Sequence, residues 1–73
     1  MVKLVVTDIL NQQHVSKSID SVEDSRAWFK EEQLLLPIEQ KLVGLGDEIT
    51  TYQIDSIAIN IAHIVTMQWY HTD

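Results

Sequence analysis

Residues 48–71 read Glu-Ile-Thr-Thr-Tyr-Gln-Ile-Asp-Ser-Ile-Ala-Ile-Asn-Ile-Ala-His-Ile-Val-Thr-Met-Gln-Trp-Tyr-His. β-Branched and aromatic residues at this density fit a pleated, half-buried surface. In a helix the branched side chains would lose rotamer freedom. Helical spacing does join Ile57, Ile61, Ile64 and Gln68, but Ile59, Val65 and Met67 then scatter around the circumference. The stretch is therefore read as sheet, and the rest of the chain must be laid on it.

Alternate residues of a strand share a face. Tyr52 and Ile54 are apolar at even numbers, whereas Ile57, Ile59, Ile61, Val65, Met67 and Trp69 are odd. A parity flip calls for a turn or a bulge, and Asp55-Ser56 is the polar pair at that point. A second break is expected between Asn60 and His63, because a strand from 57 to 69 would be unusually long. The reading gives strands at about 48–54, 57–60 and 63–71.

Val2, Leu4 and Val6 alternate with Lys3, Val5 and Thr7, which predicts a strand over 2–9. A weaker, more polar strand over 14–19 follows the break Asn11-Gln12-Gln13, completing a hairpin whose second strand suits a sheet edge. Ser21 with Asp24 three residues on resembles a capping box, so a helix is expected over about 22–33. Leu34-Leu35-Leu36 stands before Pro37, which disfavours helical geometry at Leu36. Pro37 then suits the first position of a short helix over about 37–43, ended by Gly44 and Gly46. The expected fold is α+β: a small two-layer domain, mostly antiparallel sheet, with residues 2–9 and 63–71 in the same sheet and the helix on one face.

The 73 residues make a single small domain, 1–73. A chain this short buries only about 60% of its unfolded surface. It has no cysteine, so neither a disulfide nor a thiolate metal site can reinforce it. Eleven carboxylates against five basic residues give a net charge of −6, which disfavours direct binding to nucleic-acid phosphates. The first residues do not read as a signal peptide and no run of membrane-spanning length occurs, so the expected location is the cytoplasm.

Motifs with chemistry are few. Gly44-Leu45-Gly46 lacks the remaining residues of a phosphate loop and is followed by Asp47 and Glu48. His14, His63 and His71 have no metal-ligand spacing on strands. Glu31 and Glu32 are adjacent and would not face each other on a helix. The serines fit caps, turns and edges, with no nucleophile elbow. Neither catalytic, cofactor-binding nor metal-ligating residues are assigned.

Aromatic and large apolar residues are the better candidates, for contact. Both parities of the last strand carry them: Ile64 and Tyr70 on one, Val65, Met67 and Trp69 on the other. One narrow helix covers one face, so the other needs a partner. Trp69, Met67, Tyr70, Ile64 and Trp28 are the expected interface residues, with a homodimer as the simplest assembly. The expected function is that of a small acidic, non-enzymatic interaction protein acting as a homo-oligomer. The alternative is an acidic inhibitor that mimics nucleic acid and occupies a basic groove on a partner.

Overall fold

The computed structural model describes residues 1–43 and 50–72. These described residues form six strands: β1 Val2–Asp8, β2 Gln13–Val15, β3 Phe29–Lys30, β4 Gln33–Val43, β5 Thr50–Asn60 and β6 Ile64–His71. They make two antiparallel three-stranded sheets, ordered β2-β1-β6 and β3-β4-β5. No α-helix occurs among the described residues; the helical segments are 3-10 turns at Val22–Trp28 and Ile61–His63.

The alternation in β1 does what its sequence requires. Val2, Leu4 and Val6 are buried, while Lys3, Val5 and Thr7 face outward at intermediate exposure. Leu4 and Val6 meet Leu34 and Leu36 of β4 and Ile59 of β5, so the two sheets share one core. Trp28, Phe29, Ile38, Ile57, Ile64, Met67 and Trp69 pack around it. The cover over β1 and β6 is thus a second sheet, where a helix was expected.

β1 and β6 pair from Val2↔His71 to Asp8↔Ile64, as the two most apolar alternating segments demanded. Thr7 pairs with Thr66 but Asp8 with Ile64, leaving Val65 as a bulge. The extra residue resets the parity of β6. Ile64 joins Met67 and Trp69 on the core side, and the outer side keeps Thr66, Gln68 and Tyr70.

The expected helix over 22–33 is replaced by a single 3-10 segment that ends at Trp28. Its start is as read: the Asp24 carboxylate accepts the Ser21 N–H at 3.2 Å. A short segment with a narrow apolar stripe gains little from continuing as a helix. The chain instead turns at Glu31-Glu32, and Phe29 and Lys30 pair with Leu34 and Gln33. That turn lets Leu34 and Leu36 reach the core, where both are fully buried.

The expected helix over 37–43 is strand. Pro37 lies within β4, opposite Ser56. Its carbonyl accepts the Lys17 N–H at 2.8 Å, so that side of the residue faces away from β5. In a strand a residue's N–H and C=O point to the same edge, so the missing proline N–H removes no bond to β5. The same contact carries the chain after β2 from one sheet to the other. The expected strand over 14–19 is shortened to β2; beyond it Ser16 takes the Leu4 N–H on its Oγ at 2.8 Å, and Ile19 bridges to Val2. The expected glycine stop at Gly44 and Gly46 and the strand start at 48 lie outside the described residues.

β5 runs without a break through Asp55-Ser56, eleven residues in unshifted register with β4. The parity flip in its sequence marks a change of face. Ile57 and Ile59 pair with Leu36 and Leu34 and point into the core; Ile54 pairs with Glu39 and points out. The expected break after Asn60 is present. The Asn60 side chain accepts the Ala62 N–H at 2.9 Å and caps the 3-10 turn that feeds β6.

Candidate functional site

Two surface features stand out: a groove at one end of the sandwich, and the outer face of the β4–β5 hairpin. The groove begins with Asp8. At the end of β1 the Asp8 Oδ1 accepts the N–H groups of Leu10 and Gln12, both at 2.9 Å. Its Oδ2 lies 3.0 Å from His14 Nε2. Asn11, at φ 61°, closes the turn, a conformation that asparagine tolerates better than most residues. The hydrogen bond from His14, helped by the two backbone N–H groups and opposed by partial desolvation, holds the Asp8 carboxyl below its ordinary 3.8. Ionised Asp8 accepts, so the Nε2–H of His14 donates.

This anchored turn holds out Ile9 and Leu10, which are 59% and 73% exposed. They border an open groove of about 520 Å³, whose other walls include Ile38, Ile57, Ala58, Ile59, Asn60 and His63. Ile9 is fixed to that corner by its N–H, which donates to the His63 carbonyl at 2.9 Å. Such a space, mostly apolar with a few polar groups, is the usual form of a binding site.

The outer face of the hairpin is the second feature. Leu35 and Ala58 are cross-strand partners, as are Pro37 and Ser56, and Glu39 and Ile54. Leu35 is 37% and Ile54 57% exposed. Ala58 and Ser56 are also exposed, and both are small. The result is a shallow, largely apolar strip with Glu39 as its one charge among the described side chains.

The five residues expected at an interface are divided by the fold. Trp28, Ile64, Met67 and Trp69 are half-buried against the chain's own core. Trp69 Nε1–H also donates to Ser25 Oγ at 3.1 Å, and Ser25 in turn donates to the Val22 carbonyl at 2.6 Å. Tyr70 is exposed on the outer side of β6, its hydroxyl bonded to Gln68 at 2.7 Å. Of the three histidines, His14 and His63 meet at the groove, and His71 sits opposite Val2 at the far end of β6.

The sequence reading missed Asp8, His14, Ile9 and Leu10. Their signal was present: an Asp three residues before an Asn, enclosing two large apolar residues, is a turn signature with an unexplained apolar tip. The strip of Leu35, Ile54 and Ala58 was visible only as the parity flip. No family model matches this chain, and comparisons with curated proteins and with solved structures found no match. No helix among the described residues is long and apolar enough to cross a membrane.

Proposed function

We propose that this is a small, acidic, non-enzymatic interaction protein that works as a homo-oligomer, with the outer face of the β4–β5 hairpin as its contact surface. The observation that carries the reading is the strip of exposed Leu35, Ile54 and Ala58 with half-buried Pro37 on one sheet face. Apolar residues grouped on a sheet face are the usual mark of a protein–protein contact. Small residues at Ser56 and Ala58 let two such faces approach closely, and a two-fold axis repeats the same strip on both partners. The half-buried Trp28, Ile64, Met67 and Trp69 support the subunit from within, which shifts the proposed contact away from them.

Sedimentation velocity between about 1 and 100 μM tests the reading. A rise in weight-average sedimentation coefficient with concentration is expected. With a net charge of −6 and an isoelectric point near 4.7, repulsion between copies weakens as pH falls. Association should therefore be tighter at about pH 5 than at about pH 7.5. A protein that stays monomeric across this range at both pH values is not a homo-oligomer.

A further inference from the structure

The groove touches Ile57, Ala58, Ile59 and Asn60, four consecutive residues of one strand. Successive side chains in a strand point to opposite faces. A groove in contact with four in a row, and with Ile38 of the neighbouring β4, reaches from the inner side of the sheet out to the strand's edge. β5 is the last strand of its sheet, so along this edge its backbone N–H and C=O groups have no strand opposite them among the described residues. Exposed edges are usually guarded. Here Asp55, on the core-facing parity but exposed, guards the strand up to residue 55. Beyond it the guard ends and the groove begins.

Charge selects the occupant. Asp8 is the only carboxylate lining the groove among the described residues, and no Lys or Arg lines it. At Asn60 the groove meets a second hollow, walled by Glu31, Glu32, Ile61 and Ala62. Lys30 lines a third hollow with those two glutamates and is absent from the first two. A chain laid along the edge would thus pass Asp55 at one end, cross an apolar centre, and end at Asn60, close to the negative field of Glu31 and Glu32 on the β4 side of the strand. We propose that this edge binds an extended peptide by strand addition, apolar in its centre and basic at both ends. Main-chain hydrogen bonds to Ala58 and Asn60, whose N–H and C=O groups face away from β4, would supply affinity, and the apolar walls and carboxylates would choose the sequence. This site goes beyond the proposed self-association, which uses the outer face of the same hairpin.

The test is an NMR titration of the ¹⁵N-labelled protein with the peptide Ac-Lys-Val-Thr-Ile-Thr-Val-Lys-NH₂ at about 0.15 M salt. Amide signals of Ile57–Asn60 should shift, and exchange with solvent should slow at Ala58 and Asn60, the two whose N–H groups face the free edge. Replacing both peptide lysines by glutamate should weaken binding at least about tenfold, with the gap narrowing at about 1 M salt. N-methylation at alternate peptide residues removes edge hydrogen bonds and keeps the side chains; in one of the two alternating patterns it should weaken binding by about tenfold or more. Leu10→Ser, which removes an apolar wall at an exposed rim position without adding charge, should weaken it too without unfolding the protein. Absence of shifts at Ile57–Asn60 up to about 1 mM peptide would overturn the proposal. So would parent-like affinity of both N-methylated patterns, which would mean that the groove reads side chains alone. Slowed exchange at Ala58 and Asn60 that grows with protein concentration, without peptide, would assign the edge to a second copy. Sedimentation of the free protein reports on self-association separately, so the two readings can fail independently.

Discussion

Among the described residues, two that are not glycine have positive φ. Asn11, at φ 61°, suits its place; Glu31, at φ 52°, does not. A left-handed conformation costs a residue with a Cβ roughly 1–2 kcal/mol, and glycine escapes that cost while losing more chain entropy. Glu31→Gly should therefore stabilise the fold by about 0.5–1 kcal/mol, read from the urea midpoint at unchanged slope. A loss of stability would mean that the Glu31 side chain holds the β3–β4 turn in a way its φ does not reveal. Asp8 makes the other residue-scale prediction. Its carboxyl titrates below 3.8 in the folded chain because His14 and two backbone N–H groups favour the charged form. The resulting stabilisation is present above the ordinary carboxylate value and is lost as pH falls through the lowered one. His14→Ala removes the largest cause, so the Asp8 pKa should rise toward 3.8, as followed by carboxyl ¹³C shifts. An unchanged value would assign the effect to the Leu10 and Gln12 N–H groups alone.

At the scale of elements, much of what was legible came from alternation. β1, β6, their pairing and the break after Asn60 follow from apolar periodicity and one asparagine. Expectations failed where tertiary demand overrode a local signal. The cap at Ser21 starts a helical turn but does not determine its length, because Leu34 and Leu36 are worth more in the core than residues 29–33 are in a helix. Pro37 could begin a helix or sit in a strand with its imide side facing away from the partner; only the position of Lys17 decides. The sequence shows a parity flip at Asp55-Ser56 and none at Val65, yet the bulge falls at Val65. The flip is a change of face in an unbroken strand, and only the strands opposite reveal this. The candidate groove was illegible for the same reason, since its walls come from three separate segments. The link between the first 3-10 turn and β6 gives a direct check. Ser25 is buried and accepts the Trp69 Nε1–H, so Ser25→Ala leaves a half-buried donor without its partner. A loss of about 1–2 kcal/mol is expected in chemical denaturation. A change below about 0.5 kcal/mol, the size typical of surface substitutions, would show that water replaces Ser25 without cost.

For the whole molecule, the problem is how 73 residues without a disulfide make a stable particle. Two three-stranded sheets close on five buried side chains, and half-buried aromatics and aliphatics seal the margin. β5 contributes to this twice, inward through Ile57 and Ile59 and outward through Ile54. Under the proposed function these two faces have different partners: the inner face its own core, the outer face a second copy of the chain. Paramagnetic relaxation of isoleucine methyl signals by a soluble gadolinium chelate, measured over a dilution series, separates them. Ile59 should be protected at every concentration. Ile54 should be strongly relaxed in dilute solution and become protected as concentration rises. An Ile54 methyl that stays equally exposed up to about 100 μM, or one as protected as Ile59 at the lowest concentration, would contradict the account.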